Sequence, residues 1–361
     1  MRIALTSPYA WPEVARGGER YFHELAAALS RAGHEVVALA GAPQGGRSAQ
    51  LDVQVRTLAR RPLLRRRFGE LAGEVGFAAA VLPRVAAARV DVWHATGTAE
   101  AAAAVALARV RPRLCTVFTD HGFPARASRA TRPDAGLHRR VVEGVGSYVC
   151  VSEAAGNFLR RDYGREPVVV PPGVELARYR TDTARSAVPV LLFVGALDVE
   201  RKGLALLLAA AALLAARVPA LELWLLGPGN AGPVLAAAPV ASRERVTRVG
   251  LAGPGELAPA YARAWVTVLP ATAESFGMVL VESLASGTPV VALRNGGGPA
   301  EVVRAGTGLL ADPSAVGLAD ACEQALELAV RPQVRAACRH RAADFDWDTV
   351  IVPRLEEVYG A

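Results

Sequence analysis

Long hydrophobic runs are scarce in this sequence. Across 361 residues the longest uninterrupted one, Leu204 to Ala216, is 13 residues, whereas a membrane-crossing helix needs about 20. No membrane span is therefore expected. The opening Met1-Arg2-Ile3-Ala4-Leu5 gives way at once to Thr6, Ser7 and Pro8, which is not the shape of a secretory leader, so a cytoplasmic location is expected. Cysteine is sparse as well. Cys115, Cys150, Cys322 and Cys338 stand far apart without CxxC spacing, and read as buried free thiols rather than a disulfide framework or a zinc site. The six histidines form no HExxH or clustered pattern, which removes the common metal-ligand signatures. The one DxD-like run, Asp344-Phe345-Asp346-Trp347-Asp348, reads as capping and solvated surface at the start of the last helix. No divalent metal and no other cofactor is expected. Also missing is a G-x-G-x-x-G after the first strand, which argues against a nicotinamide-dependent oxidoreductase.

What is present fits a globular protein of two domains. The composition is 52% hydrophobic and 21% charged, and the chain is too long for one ordinary core, since domains commonly hold about 100–200 residues. The net charge is +7, which points to an anionic partner without saying which. The densest basic patch is Arg60-Arg61-Pro62-Leu63-Leu64-Arg65-Arg66-Arg67-Phe68. Leu64, Phe68, Leu71 and Val75 recur at helical spacing, so one stripe packs inward while most of the arginines face elsewhere. The plain reading is the solvated face of a core-docked helix. Two others stay open: attachment to an anionic membrane surface, and binding of an anionic acceptor. Nucleic acid is not expected, because no nucleic-acid module accompanies the patch.

Two strand–loop–helix–strand series run along the chain. The first starts with a buried strand, Arg2 to Thr6, a loop through Trp11, Pro12 and Glu13 to Gly17-Gly18, a helix ending before Gly33, and a strand from Glu35 to Ala40. Further strand-like runs are Val53 to Leu58, Val90 to His94, Leu114 to Phe118, Tyr148 to Ser152 and Val168 to Val170. This is the pattern of parallel doubly wound sheets. His121 emerges just past one of these strands, at the edge where such sheets bind ligands. The stretch from Val174 to Pro189 holds Arg178, Arg180, Thr181, Asp182 and Arg185 without apolar periodicity and reads as a linker. The pattern restarts with a strand from Val190 to Val194, a polar loop bearing Arg201 and Lys202, and the apolar helix from Leu204.

The most informative stretch is Glu274-Ser275-Phe276-Gly277-Met278-Val279-Leu280-Val281-Glu282, followed by Gly287-Thr288-Pro289-Val290-Val291. It reads as strand, loop, helix, strand, the helix running from Met278 to Ser286 with Gly287 ending it and Pro289 blocking its continuation. Gly277 lets backbone approach a ligand, and the free N–H groups at the helix start suit a phosphate oxygen. A carboxylate at Glu282 can accept two hydroxyl hydrogen bonds, as a ribose would offer. The chemistry implied is recognition of a polyol attached to a phosphate.

Together these residues resemble the retaining glycosyltransferases of family 4, also called glycosyl transferases group 1, across nearly the whole chain. The resemblance rests on Gly17-Gly18-Glu19 with Leu25 and Gly33-His34-Glu35-Val36, on Val151-Ser152-Glu153, Pro172-Gly173-Val174-Glu175 and Arg201-Lys202-Gly203, and on the stretch from Glu274 to Val291. It implies an α/β GT-B fold, two facing Rossmann-like domains with parallel sheets and an interdomain cleft. The domains would be an acceptor-binding domain at 1–174, a linker at 175–189, a nucleotide-sugar-binding domain at 190–344, and a last helix at 345–361 crossing back to the first domain. It implies transfer, with retention and without metal, from a UDP- or GDP-sugar to a hydroxyl of a saccharide, natural product or lipid. By resemblance, Glu282 holds the donor ribose and Glu274 the transferred sugar. Phe276, Gly277 and Met278 meet the sugar and diphosphate, Lys202 balances the diphosphate charge, His121 lies near the sugar, and Gly17 and Gly18 approach donor phosphate and acceptor. Ala196 stands where the family often has arginine, leaving Arg201 as its substitute, and Pro172-Gly173 replaces a frequent Asn-Gly. Two alternatives go with this reading: a non-catalytic nucleotide-sugar binding protein, and a peripheral-membrane lipid glycosyltransferase using the Arg60 to Arg67 patch.

Overall fold

The computed structural model describes residues 1–10, 17–42, 46–50, 53–59, 70–123, 134–179, 182–251 and 255–360. The Arg60 to Arg67 patch, the loop through Trp11, Pro12 and Glu13, and Arg180 and Thr181 lie outside the described residues. The chain divides into two compact units, Met1–Gly173 with Trp347–Ala361, and Val174–Asp346.

The first unit is built on eight strands: β1 (Arg2–Ser7), β2 (Glu35–Ala42), β3 (Gly46–Gln50), β4 (Val53–Ala59), β5 (Val92–Ala95), β6 (Cys115–Asp120), β7 (Ser147–Cys150) and β8 (Val168–Val169). Their order is β3-β4-β2-β1-β5-β6-β7-β8. All pairs are parallel except β3 on β4. The inner strands are apolar almost throughout because helices cover both faces of a parallel sheet. Gly46–Gln50 escapes that requirement: it is polar, and it sits antiparallel at the edge, which is why no apolar run announces it. The helix Glu70–Ala88 also departs from expectation. Its window Leu71–Ala88 has the length and composition of a membrane span, although Glu74, Gly76 and Pro83 break it into shorter runs. Here Phe77, Val81 and Val85 form a buried stripe that packs with Val90, Trp93 and Leu107 in the unit's core, so its apolar face serves the sheet.

Residues 347–360 complete this unit. Trp347–Ile351 make a π-helical turn and Val352–Gly360 an α-helix. Trp347, Ile351, Val352, Leu355 and Tyr359 join the core made by β1, β2 and the helix Gly17–Arg31. The Trp347 indole lies so close over Gly173 that a Cβ there would stand 2.3 Å from Cδ2. The glycine of Pro172-Gly173 is thus fixed by packing. The acidic run keeps partners at the surface: Asp348 pairs with Arg31 at 2.9 Å and Asp344 with Arg341 at 2.6 Å.

The second unit has six parallel strands, β9 (Val190–Val194), β10 (Glu222–Leu226), β11 (Val246–Gly250), β12 (Val266–Leu269), β13 (Val290–Leu293) and β14 (Gly308–Ala311), in the order β11-β10-β9-β12-β13-β14. Both sheets therefore wind outward from their first strand and reverse beside it, between β1 and β5 and between β9 and β12. Such reversals open a crevice at the carboxyl ends of the strands, where ligands bind. The 13-residue apolar run becomes the helix Leu204–Leu214, whose Leu204, Leu207, Leu208 and Leu214 are buried against Leu191, Phe193 and Leu225. The stretch from 174 to 189 carries a short helix, Leu176–Tyr179, with Tyr179 buried and its ring 6.2 Å from that of Tyr261. All four cysteines are free, three of them buried.

Candidate functional site

The loops that follow β9 and β12, the two strands at the reversal, are tied together. The Thr272 N–H donates to the Arg201 carbonyl at 3.0 Å, and the Arg201 guanidinium returns a bond to the Ala273 carbonyl at 3.2 Å. This brings Lys202, in the turn Glu200–Lys202, to Glu274, its Nζ 2.6 Å from Oε2. The side chains are 21% and 15% exposed, so the pair is half-screened and open on one side. Lys202 is the only lysine in the chain; the other 40 basic residues are arginine. Where a compact ammonium is used once, its place at a strand-to-helix turn carries information that total charge hides. Ala196 lies in the same loop, and one N–H of the Arg201 guanidinium is engaged by the backbone of the Glu274 loop.

Gly277 ends that loop with φ 98° and ψ 59°, and caps the helix Met278–Ala285 with no side chain of its own to bond the first N–H groups. A Cβ there would press on Leu269 and Leu280 at 3.1 and 3.2 Å. The helix therefore presents the positive end of its dipole behind a cap with no side chain, its Leu280 N–H taken by the Gly277 carbonyl at 2.9 Å. Phe276 is buried, its ring 5.5 Å from that of Phe345, while Met278 is half-buried. Glu282, one helical turn further, is 3% exposed and accepts a hydrogen bond from the Tyr261 hydroxyl at 2.8 Å. One supporting segment was not singled out from the sequence. Asn295-Gly296-Gly297-Gly298 follows β13 and packs against the Glu274 loop, the Gly298 N–H donating to the Glu274 carbonyl at 3.2 Å. A Cβ at Gly298 would stand 2.1 Å from the Ser275 carbonyl oxygen. A run of three glycines directly after a strand was the available signal.

In the first unit, Gly17 and Gly18 are the first residues of the helix Gly17–Arg31 rather than the end of a loop. A Cβ on Gly18 would lie 3.5 Å from His121 Cδ2, so glycine brings the helix start alongside that imidazole. The Tyr21 ring meets His121 edge-on at 4.5 Å. Burial pulls the His121 pKa from 6.5 down to about 4, against the opposing pull of Asp120, so the imidazole is neutral near pH 7. Asp120 fixes the turn beneath it, accepting from the Gly122 N–H at 2.9 Å and from the Tyr148 hydroxyl at 2.7 Å. His138 closes that network at 2.8 Å from the Tyr148 oxygen.

Two further polar residues at this edge carry no sequence signal beyond their types. His94 is buried on β5, with Nε2 2.7 Å from the Thr119 hydroxyl and Nδ1 2.7 Å from the Tyr359 hydroxyl. Burial, and then neighbouring His121, hold its pKa at about 3. Glu100, in the first turn of the helix Thr98–Ala108 that follows β5, is fully buried, and burial pushes its pKa up to about 8. A neutral carboxyl can donate a hydrogen bond as well as accept one. Among the described residues no group of three or more His, Cys, Asp or Glu side chains stands close enough to hold a metal ion.

Comparison with known proteins agrees with this architecture. Residues 15–178 match the family model Glycosyltransferase Family 4, and residues 188–328 match that of Glycosyl transferases group 1. Glycogen synthase of Mycobacterium tuberculosis is 30% identical over 97% of this chain and 92% of its own. Another curated relative, 45% identical, matches over 97 residues, 22% of its own length. Among solved structures, sucrose-phosphate synthase from Thermosynechococcus elongatus superposes with a TM-score of 0.81 at 24% identity, over 100% of this chain and 98% of that one. HepE of Anabaena, in complex with UDP-glucose, superposes with a TM-score of 0.76 at 19% identity over 100% of both chains.

Proposed function

The chain belongs to the glycosyltransferases of family 4 and group 1, which have the GT-B fold, and from that membership we propose that it moves a sugar from a nucleotide diphosphate sugar to an acceptor hydroxyl with retention at the anomeric carbon. The donor is a UDP- or GDP-sugar, and the UDP-glucose bound by HepE makes UDP-glucose the first to test. The acceptor is a saccharide, a natural product or a lipid. The protein acts in the cytoplasm.

The observation that carries this reading is the Lys202–Glu274 pair at 2.6 Å, set at the reversal of the second sheet beside the glycine-capped helix start at Gly277. Donor binding replaces that pair by two stronger partnerships. Lys202 takes the β-phosphate, Glu274 takes sugar hydroxyls, and the N–H groups after Gly277 take the remaining phosphate oxygens. Glu282, oriented by Tyr261, accepts from the ribose hydroxyls. Phe276 and Met278 frame this contact. In the transfer step the acceptor oxygen bonds to the anomeric carbon on the face from which the bond to the β-phosphate oxygen breaks. The acceptor proton passes to that departing oxygen. Lys202 and the helix start stabilise the charge that develops on the diphosphate, so a divalent cation is not required. Arg201, through the Ala273 carbonyl, holds the loop in place and replaces part of what an arginine at position 196 would supply. His121, neutral and beside Gly18, suits a hydrogen bond to a sugar hydroxyl, and Gly17 and Gly18 leave room for backbone approach.

Calorimetric titration of UDP, GDP, ADP and TDP into wild type and Glu282→Ala tests the donor assignment. One diphosphate should bind the wild type and lose at least about tenfold in affinity with the variant, the scale of one charge-assisted bond pair. No binding by any of the four, or equal binding by the variant, overturns the assignment. Binding without sugar transfer to any acceptor favours the non-catalytic alternative.

A further inference from the structure

Tyr261 reaches Glu282 from a different helix. It lies on Leu257–Arg263, is fully buried, and donates its hydroxyl to Glu282 Oε2 at 2.8 Å. A buried tyrosine must find a partner for that hydroxyl, a demand that phenylalanine, filling the same space, would not make. The hydroxyl acts on the carboxylate it meets.

Both partners are pinned by one short segment. The helix carrying Glu282 ends at Ala285, and the residues after it bond back to the two main chains. The Ser286 hydroxyl and N–H both donate to the Glu282 carbonyl at 3.1 Å, and the Thr288 hydroxyl donates to the Tyr261 carbonyl at 2.7 Å. The Tyr261 ring also lies 6.2 Å from the ring of Tyr179, which is buried too. The backbone on either side of the hydroxyl bond is thus fixed, and the direction of the Glu282 carboxylate with it. A glutamate without such a partner keeps rotamer freedom that a ligand has to remove on binding. Tyr261 removes it beforehand.

The consequence falls on a diol. An ionised carboxylate accepts at about four positions, and Tyr261 takes one of them on Oε2, which turns the rest in a set direction. Acceptors held in one orientation suit two hydroxyls held in one orientation, as the neighbouring hydroxyls of a ribose are. A 2′-deoxyribose offers one of the two and leaves a buried acceptor unmet, which is the costly case. With the carboxylate loose, it can turn to follow a single hydroxyl, and the difference between the two sugars shrinks. Resting on Glu282 as the ribose acceptor, we propose that Tyr261 is a positioning residue that makes the donor site select ribonucleotides over 2′-deoxyribonucleotides, acting through Glu282.

Calorimetric titration of UDP, GDP and their 2′-deoxy forms into wild type, Tyr261→Phe, Thr288→Val and Glu282→Ala tests this, with circular dichroism to show that each variant is folded. Wild type should hold its ribonucleotide about tenfold or more tightly than the 2′-deoxy form, and Tyr261→Phe should cut that ratio to about threefold or less. The ratio decides, because a merely structural role for Tyr261 weakens both nucleotides alike; an equal loss on both overturns the proposal. Should Tyr261→Phe not fold, Thr288→Val, which keeps the hydroxyl and releases the Tyr261 carbonyl, decides by the same fall in ratio. A wild-type ratio in Tyr261→Phe with a collapsed one in Glu282→Ala overturns the role of Tyr261 and leaves Glu282 on the ribose. A ratio near one in wild type, an undiminished ratio in Glu282→Ala, or no binding of either nucleotide removes the ribose assignment and this proposal together.

Discussion

Replacing Glu100 by glutamine should flatten the alkaline side of the stability profile. The carboxyl is fully buried, and burial raises its pKa from 4.5 to about 8, with Glu74 adding to the rise and the N–H groups of Glu100 and Gly97 opposing it. Between those values the folded protein keeps a proton that the unfolded chain has released. The sign follows: stability from that proton is complete below the unfolded value and is lost as pH rises through the folded one. At about 1.36 kcal/mol per pKa unit, the loss between about pH 5 and about pH 8 comes to about 3–4 kcal/mol. Glutamine keeps the volume and cannot ionise, and every other titrating group is common to both proteins. The difference in unfolding free energy between wild type and Glu100→Gln, measured in urea at intervals over that range, should therefore shift by that amount in the variant's favour as pH rises. Curves that stay parallel within about 1 kcal/mol would refute burial of this carboxyl as the cause.

Three other outcomes are expected. Burial holds His23, His94 and His121 at about 4, about 3 and about 4, so their stabilisation is present above the unfolded value near 6.5 and is lost as pH falls through the folded ones. Urea unfolding should show a loss of about 2 kcal/mol per histidine between about pH 7 and about pH 5, and a flat acid limb contradicts it. Lys202→Ala should lower initial rates of nucleotide release from the donor by about 10²–10³, with Lys202→Arg recovering only part; wild-type rates in the alanine variant remove Lys202 from the site. Tyr359→Phe takes the hydroxyl from His94 Nδ1 at 2.7 Å and should reduce unfolding free energy by about 1–3 kcal/mol while leaving nucleotide affinity unchanged in calorimetry.

The parts of the site readable from sequence are those coded locally. Gly277, Gly287 and Pro289 punctuate the helix around Glu282, and their conformational demands are properties of single residues. The Lys202–Glu274 bond joins residues 72 apart, and only the ordering of β9 beside β12 brings them together. Arg201 shows the same limit. Its charge suggests a contact with phosphate, and the bond from its guanidinium to the Ala273 carbonyl comes only from the adjacency of two loops that are distant in sequence. Glu100, His94 and Tyr359 are polar types that usually face solvent, and nothing in their neighbours' periodicity marks them as buried. Edge strand β3 and the long apolar helix at 70–88 go unannounced in the sequence for opposite reasons. One is polar because an edge need not be buried; the other is broken by glycine and proline and yet continuous in space.

The position of Trp347–Ala361 with Met1–Gly173 has a consequence for how the molecule is made. A ribosome makes the polypeptide in order, so the whole of Val174–Asp346 is translated before Trp347, Ile351, Leu355 and Tyr359, which complete the core of the other unit. Without those side chains the apolar faces of β1, β2 and the 17–31 helix lack part of their cover, and transiently exposed apolar surface of this kind favours aggregation. The core of one unit is therefore completed only by side chains translated after the whole of the other.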